Sequence, residues 1–559
     1  MRILTNLLIL STALLAQPVV PRFRANTQLV EFTFVALDKH GNAVTDLQQE
    51  ELQIYENGKP MDIAFFRFEG LPASHPSPAS LPMVAGIFSN RIEYSPGPPR
   101  NISAIVLDTL NTEPTQIMWV RAQVTRYLRQ LAPQTRIAVF HLGSRLTVLH
   151  DFTEDAESLR RRIEKAGLPL PTQSPADIDS LIRDAEQLVD MFPDDPQLEE
   201  ILRNQIEIEG MYNAAMRKRR VQATLAALES LGQHLAGIPG RKNLIWIGGG
   251  ISMLSITGAM GFGVHGGIES YENPVRQAAQ RLAQKGIALY AVDARTLDGA
   301  KEISATISRA MPVRGRGRFE PQQQTEEISA DPLPAAYKMA DITGGRVIHN
   351  TNDPTEGMDR AVRDLRGSYS LGFYAGDDPD GKWHSLKVKV KRSGVRITHR
   401  QGFLAVTASP VSAGWTSAEW QSAVHNPLGS TAISLDARCE PTEKGDSGTL
   451  TLIIQIEPSH LYFKNSSTGS IAELEILIAE KNAGGEAHLH HEAGHFNLSA
   501  SDATRNNPLR CRWSRTWKPA DGFASLRIIV LDRSTGRFGT LDLPREKILL
   551  ERSHPPTGE

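Results

Sequence analysis

His491, Glu492 and His495 form the pattern His-Glu-x-x-His, which binds zinc in many metallopeptidases. On a helix, histidines four residues apart can share one Zn²⁺, and the glutamate acts as the general base. Here the neighbouring residues predict a strand, because a glycine pair precedes the motif, Gly494 lies within it and the following residues alternate in polarity. Histidines four apart on a strand lie too far from each other to share a metal. A zinc-dependent metallohydrolase therefore remains only an alternative interpretation.

No other pattern in the sequence indicates catalysis. The chain has no Gly-x-Ser-x-Gly elbow for a serine nucleophile and no cysteine in catalytic surroundings. The glycines at 248–250 lack the lysine and hydroxyl residue that complete a phosphate-binding loop. We predict that the protein is not an enzyme and that it needs no cofactor.

The composition is that of an ordinary globular protein. The 559 residues are 40% hydrophobic and 22% charged, which is far from the profile of a disordered chain. A formal net charge of -2 gives no general attraction for nucleic acid or anionic membranes, so we predict no nucleic-acid partner. A chain of this length predicts about two to four domains.

The first residues have the features of an export signal. Arg2 precedes an apolar run over residues 7–15, and small residues occur at Ser11, Ala13 and Ala16, which together predict a secretory signal peptide over residues 1–17. No later stretch reaches the roughly 18 apolar residues that a spanning helix needs. We expect an exported protein, periplasmic or extracellular, with no membrane span beyond the signal segment. Whether that segment is cleaved or kept as an anchor stays open.

Cys439 and Cys511 are the only cysteines in the chain. In an oxidising compartment they have no other partner, and both lie in segments that predict strands of one terminal domain. We therefore predict a Cys439–Cys511 disulfide, with two buried thiols as the alternative.

The chain before residue 100 predicts a small β module and a linker. Residues 28–70 alternate in polarity around turns near Asn42 and Gly58, which favours an N-terminal β module. Residues 71–99 are rich in Pro and Ser and have little periodicity, which is typical of a linker.

Strands alternate with helices over residues 100–366. Residues 102–107 form a continuous apolar run, as expected for a strand buried on both faces of a parallel sheet. This alternation predicts a doubly wound, Rossmann-like α/β domain. A helical insertion interrupts it at 168–237, with helices beginning near Ser174 and Leu198.

Only strand patterns follow the α/β region. Residues 367–406 predict a β tail packed on the α/β unit, and residues 426–552 predict a C-terminal β sandwich.

Several ordered motifs over residues 28–404 resemble the von Willebrand factor A-related (VWFA-related) family of exported bacterial proteins, best known from acidobacteria. The motifs that carry the resemblance are VALDKHGNAVTDLQQEELQIYENGKP, IVLDTLNT, PGRKNLIWIGGGIS, GIALYAVDARTL, MADITGGRVI, SYSLGFYAG and HSLKVKVKRSGVRITHRQGF. The resemblance implies a von Willebrand factor A-like domain.

Domains of this kind commonly bind ligands through a metal-ion-dependent adhesion site, where oxygen ligands leave Mg²⁺ one open position for the partner. Its pattern is Asp-x-Ser-x-Ser after the first strand, a Thr from a second loop and an Asp after the fourth strand. Asp108 and Thr112 match the ends of the first motif, but Leu110 replaces its first Ser. No carboxylate occurs in residues 246–250, and Thr224 lies inside a predicted helix. The resemblance thus implies a degenerate site, with Mg²⁺ at Asp108 and Thr112 as the alternative.

Binding is the function that these patterns favour. Ligands of open α/β sheets bind at the carboxyl ends of the strands, which predicts a site formed by Asp108, Asn111, Thr112, Gly249 and Ser252. We expect a protein or a cell-surface component as the ligand, which is an inference from fold analogy. A structural component of a cell-envelope assembly is a further alternative.

Overall fold

The structure is a computed structural model, and within the residues that it describes the fold is mixed α/β. The described ranges are 29–70, 86–91, 102–131, 135–167, 196–238, 240–250, 254–257, 267–293, 333–349, 353–375, 380–405, 415–442, 449–466, 469–498, 511–520 and 522–550.

The strands of the first half are β1 (Leu29–Leu37), β2 (Leu52–Glu56), β3 (Lys59–Met61), β4 (Ile63–Phe68), β5 (Phe88–Ser89), β6 (Ile102–Asp108), β7 (Ile137–Leu142), β8 (Leu146–Thr153), β9 (Lys242–Gly248), β10 (Leu254–Thr257), β11 (Gly267–Ser270), β12 (Ile287–Asp293) and β13 (Arg346–Ile348). Those of the second half are β14 (Ser368–Tyr374), β15 (Trp383–Val390), β16 (Arg396–His399), β17 (Gly402–Leu404), β18 (Leu435–Pro441), β19 (Leu450–Ile456), β20 (Lys464–Ser466), β21 (Gly469–Asn482), β22 (Ala487–Leu498), β23 (Cys511–Trp517), β24 (Phe523–Asp532) and β25 (Phe538–Pro544). The α-helices are α1 (Pro114–Arg129), α2 (Ala156–Lys165), α3 (Pro196–Leu235), α4 (Glu272–Gln284), α5 (Leu333–Thr343), α6 (Pro354–Arg366), α7 (Ser417–His425) and α8 (Arg545–Leu550).

A six-stranded sheet in the order β13-β12-β9-β6-β7-β8 forms the centre of the α/β unit. Its strands pair in parallel except β8, which is antiparallel to β7. Every residue of β6, β7 and β9 is buried, which agrees with the continuous apolar runs in the sequence. One apolar cluster joins the sheet to α1, α2 and α6, and a second joins it to α3, α4 and α5.

The N-terminal β module and the β tail are joined in one β sandwich. Its two sheets have the orders β16-β1-β14-β4 and β17-β15-β2-β3, so each contains strands from both ends of the α/β unit. In the sequence analysis these segments were separate units, with the tail packed on the α/β domain. A few strands alone cannot bury a hydrophobic face, so the N-terminal strands need partners. Both partners of β1, which are β14 and β16, belong to the tail.

The C-terminal sandwich begins earlier in the chain than residue 426 and includes a piece of the predicted linker. One sheet has the order β23-β19-β18-β5, and the other contains β20, β21, β24 and β25, with β22 paired to β21. Strand β5 lies within the predicted linker 71–99 and pairs with β18. Helix α7 packs on the outer face of the second sheet through Trp420 and Val424.

Asn90 attaches this segment to the C-terminal sandwich through hydrogen bonds. Its side-chain amide donates to the carbonyls of Ser430 (3.3 Å), Ile433 (3.0 Å) and Thr540 (3.0 Å), and its oxygen accepts from the Leu435 amide at 2.7 Å. The Pro- and Ser-rich composition of the segment does not predict this attachment, because a single side chain, that of Asn90, makes the hydrogen bonds.

The predicted Cys439–Cys511 disulfide is wrong. Cys439 pairs with Leu452 on one side of β19, and Cys511 pairs with Ile456 on the other side. Two strand spacings and four residues along β19 separate the Cα atoms by roughly 16 Å, whereas a disulfide requires less than about 7 Å. The two cysteines lie in strands of one sheet, but these strands are not adjacent, because β19 lies between them.

Some predicted segments lie outside the described residues. These are the signal peptide at 1–17, the first helix of the insertion near Ser174, and Ser252. The second helix of the insertion is α3, which begins at Pro196, close to the predicted start at Leu198. No helix in the described ranges is long and apolar enough to cross a membrane.

Candidate functional site

The candidate site is built on the turn from β6 into α1, at the carboxyl edge of the central sheet. Asp108 is the last residue of β6, and Pro114 opens α1. Within the turn, the Asn111 amide donates to Asp108 Oδ1 at 3.0 Å, and the Thr112 hydroxyl donates to the Asp108 carbonyl. These local bonds hold the turn in place, which is a usual role for Asp and Thr at a strand-to-helix junction.

The Asp108 carboxylate is buried and surrounded by hydrogen-bond donors. Its Oδ2 accepts from Asn111 Nδ2 at 2.8 Å and from Trp246 Nε1 at 3.0 Å. Only 2% of the residue is exposed. Burial raises the pKa of Asp108 to about 6, against the opposing effect of the hydrogen bonds from Asn111 and Trp246.

Glycines 248 and 249 at the end of β9 let the backbone come close to this turn. The Gly249 amide donates to Thr112 Oγ1 at 2.9 Å. A Cβ atom on Gly249 would lie 2.1 Å from the Asn111 carbonyl oxygen, and one on Gly248 would lie 2.7 Å from Asp108 Cβ. The glycines are therefore required for packing between the ends of β6 and β9.

Thr224 reaches the same site from the helical insertion. It lies inside α3, as the sequence predicts, and is fully buried. Its hydroxyl accepts from Asn111 Nδ2 at 2.9 Å and donates to the Arg220 carbonyl at 2.8 Å. The insertion thus supplies the Thr224 hydroxyl near Asp108, but the side-chain amide of Asn111 lies between this hydroxyl and the Asp108 carboxylate.

Trp246 and His141 belong to the site and were not identified from the sequence. Trp246 pairs with Val106 in the neighbouring strand, two residues before Asp108, so strand register is the signal that could have found it. His141 lies on β7, and its Nε2 is 2.8 Å from the Thr109 hydroxyl. Burial lowers the pKa of His141, which favours the neutral ring at neutral pH.

The arrangement does not fit a magnesium ion at Asp108. Both carboxylate oxygens accept hydrogen bonds from N–H groups, which cannot be metal ligands, and Leu110 supplies no oxygen. The cavity beside Asp108 has a volume of about 10 Å³, close to the space of one water molecule. In the described part of the chain, no group of three or more His, Cys, Asp or Glu side chains could hold a metal ion.

The His-Glu-x-x-His residues lie on strand β22, as the sequence analysis expected. His491 and His495 pair with Leu477 and Glu473 of β21, and four residues of strand separate them by roughly 13 Å. His491 Nε2 is 3.0 Å from Glu475 Oε2, and Glu492 accepts from Arg515. The helical geometry that a zinc peptidase needs is not formed by these residues.

Comparisons with known proteins give only distant similarities. No protein-family model matches the chain, and no curated protein matches it. Similar solved structures include the conserved hypothetical protein BatB from Bacteroides thetaiotaomicron, with 12% identity, coverage of 48% of this chain and 98% of that chain, and a TM-score of 0.24. A von Willebrand factor type A protein from Catenulispora acidiphila has 9% identity, coverage of 83% and 76%, and a TM-score of 0.25. TM-scores this low carry no argument about the fold or function of this chain.

Proposed function

We propose that this chain is an exported binding protein whose α/β unit is a doubly wound, von Willebrand factor A-like domain. In this proposal the unit binds a protein or cell-surface ligand without a metal ion. The convergence of two turns at the carboxyl ends of adjacent parallel strands carries the proposal, since ligands of open α/β sheets bind at that edge. The turns are residues 108–113 and 248–250, and the hydrogen bond from Gly249 to Thr112 joins them.

The chemistry of the site favours binding over catalysis. The polar groups of Asp108, Asn111 and Thr112 are engaged with one another and with Trp246, so they fix the shape of the edge. A rigid edge loses little conformational entropy when a ligand binds, which favours affinity. Leu110 and Asn111 are half-exposed at this edge, and a ligand would contact this part of the turn.

The experiment is affinity capture from the native host's envelope fraction, with the purified chain immobilised. The variant Leu110→Arg places a long charged side chain on the proposed binding edge, and because Leu110 also packs against the apolar cluster between the sheet and α3, circular dichroism must show that the variant keeps its fold. Gln130→Arg is the matched control, because Gln130 is exposed just after the last residue of α1, near the opposite edge of the sheet. We expect a captured partner that Leu110→Arg loses and Gln130→Arg retains. A partner captured equally by both variants would place the binding surface elsewhere.

A further inference from the structure

The large exposed apolar side chains in the described residues are concentrated on one helix. Ile201 (65% exposed), Ile208 (62%), Met211 (54%) and Tyr212 (48%) all lie in the first half of α3. Each of the other large exposed apolar side chains in the described ranges is alone on its element. Contiguous exposed apolar surface marks an interaction site more often than scattered single residues do.

These four residues form a stripe along the helix, which we call the α3 stripe. At about 100° of rotation per residue, Ile201 and Tyr212 each lie within roughly 40° of Ile208, and Met211 lies about 60° to one side. At 1.5 Å rise per residue, the stripe is about 17 Å long. Ala215, which is also exposed, continues it toward the middle of α3.

Charges of opposite sign lie at the two ends of the α3 stripe. Glu200 is exposed immediately before it, and Lys218 and Arg219 are exposed after it. Glu200 and Lys218 are about five full helical turns apart, so they lie on the same side of α3. In a parallel pair of these helices, Glu200 and Lys218 of the two copies would lie on opposite flanks of the interface, so no acid would face a base. In an antiparallel pair the acid of one copy faces the base of the other.

We propose that the α3 stripe is the interface of a homodimer in which the α3 helices of two copies pack antiparallel. The centre of the pairing is near residue 209. Ile208 of each copy then fits between Ile208 and Tyr212 of the other, and Glu200 lies opposite Lys218. A second copy of the chain is a suitable partner, because its own α3 stripe supplies both an apolar surface of the same length and the complementary charges. This interface uses none of the residues at the carboxyl edge of the sheet, so it is independent of the proposed ligand site.

Sedimentation equilibrium of the purified chain tests the apolar part of the proposal. We expect a dimer whose dissociation constant rises by more than about tenfold in Ile208→Asp, because an unpaired carboxylate would be buried at the centre of the interface. The matched control is Met118→Asp, since Met118 is 60% exposed on α1 and lies outside the stripe. Circular dichroism checks that both variants keep their helices. A wild-type monomer, or a dimer whose dissociation constant is unchanged in Ile208→Asp, overturns the proposal. If the protein is a monomer, the partner of the stripe is residues 168–195 of the same chain or another protein.

Charge reversal tests the antiparallel direction. Glu200→Lys and Lys218→Glu should each weaken the dimer, because each places like charges opposite one another. The combined variant should restore the affinity of the wild type, since it exchanges the two partners of each pair. In a parallel dimer the single reversals would change little, because these residues of the two copies lie on opposite flanks of the interface. Single variants with unchanged affinity, or a combined variant weaker than either single one, contradict the antiparallel arrangement.

Discussion

At the scale of single residues, Asp108 shows how a carboxylate at a metal-site position can have a structural role. The side-chain N–H groups of Asn111 and Trp246 both donate to Asp108 Oδ2, an oxygen that a metal ion would require as a ligand. An ion would have to displace both donors and leave the indole N–H buried without an acceptor, which costs about 1 to 3 kcal/mol.

This arrangement makes metal binding at Asp108 unfavourable. We expect calorimetric titration with Mg²⁺ or Mn²⁺ to show no stoichiometric site in the micromolar range, because too few oxygen ligands remain. The decisive control is Asp108→Ala. A micromolar site in the wild type that this variant abolishes would contradict the expectation.

Asp108 should also make stability depend on pH. Its pKa rises from 3.8 to about 6 on folding because the group is buried, so the folded state binds the proton more tightly than the unfolded state. The stability that this proton supplies is present at low pH and is lost as the pH rises through the folded pKa. Relative to Asp108→Asn, the wild type should lose roughly 2 kcal/mol of unfolding free energy between about pH 4 and about pH 7.

Urea denaturation of both proteins across this range measures the effect. A difference between wild type and Asp108→Asn that stays constant with pH would show that the carboxyl group titrates normally in the folded protein.

The cysteines offer a direct test of strand order at the residue scale. Because β19 separates them, both should be found as thiols when the protein is unfolded without reductant and treated with a thiol reagent. In the folded protein Cys511 should react slowly, since it is buried and burial raises its pKa to about 11. Mass spectrometry after alkylation counts the modified sites, and an unmodified, crosslinked pair would mean that the order of strands in this sheet is different.

At the scale of elements, β5 is a strand of only two residues that completes a sheet far along the chain. Asn90 follows it directly and bonds four backbone groups of the C-terminal sandwich. Arg91 then forms ion pairs with Asp436 at 3.0 Å and Glu457 at 2.9 Å. This short segment therefore acts as part of the C-terminal sandwich.

Removing the Asn90 side chain should destabilise that sandwich. Asn90→Ala removes the side-chain hydrogen bonds to three carbonyls and one amide, so we expect a loss of about 2 to 4 kcal/mol of unfolding free energy. Hydrogen exchange should report the loss in β18 and β25 more than in the central sheet. The control is Asn57→Ala in the N-terminal hairpin, whose side chain bonds only Ser385. Equal exchange in β18 for both variants would mean that β5 contributes little.

The elements also show what the sequence could and could not predict. The apolar runs at residues 102–107 and 244–247 indicate strands in the sequence, because both faces of the strands Ile102–Asp108 and Lys242–Gly248 are buried. Their ends, with Asp108, Asn111, Thr112 and Gly249, could therefore be placed at one edge of a sheet. Trp246 was not assigned to that edge, because a tryptophan in an apolar strand has the same pattern as a core residue and only the register of β6 with β9 places it beside Asp108.

The periodicity of a sequence does not predict which distant strands pair with each other. Alternation identified β1, β14 and β18 as strands, but nothing in a local pattern says which strands are neighbours. The division into an N-terminal module, a linker and a tail followed chain order. The structure instead groups these segments by pairing, across the whole α/β unit.

At the scale of the whole molecule, single side chains connect the units: Arg400 is buried and Thr431 is half-buried. Arg400, only 8% exposed, donates to the Ala283 carbonyl of α4 and to the Glu31 carbonyl of β1, both at 3.0 Å. On the other side, the Thr431 hydroxyl donates to the His234 carbonyl of α3 at 2.8 Å and accepts from the Gly237 amide at 3.0 Å.

Arg400→Leu should weaken the junction between the N-terminal sandwich and the α/β unit. The carbonyls of Ala283 and Glu31 each lose a hydrogen bond from the guanidinium, although the Ala283 carbonyl keeps the Gly286 amide as a donor, so we expect a loss of about 1 to 3 kcal/mol of unfolding free energy. Calorimetry should show a broader thermal transition, because the two units would unfold less cooperatively. Arg396→Leu is the matched control, since Arg396 is exposed on the preceding strand. An equally sharp transition in both variants would show that Arg400 does not couple the units.

The interleaving of the two sandwiches with the α/β unit sets the order in which the protein can form during synthesis. Strand β1 is made early, but its partner β14 follows only after the whole α/β unit, as the pairing of Leu29 with Tyr374 shows. Strand β5 likewise precedes β18 by most of the chain. The α/β unit can therefore fold first, while the early strands stay unpaired and open to wrong partners on neighbouring nascent chains. A chain of this design depends on protection of its first strands until its last ones have been made.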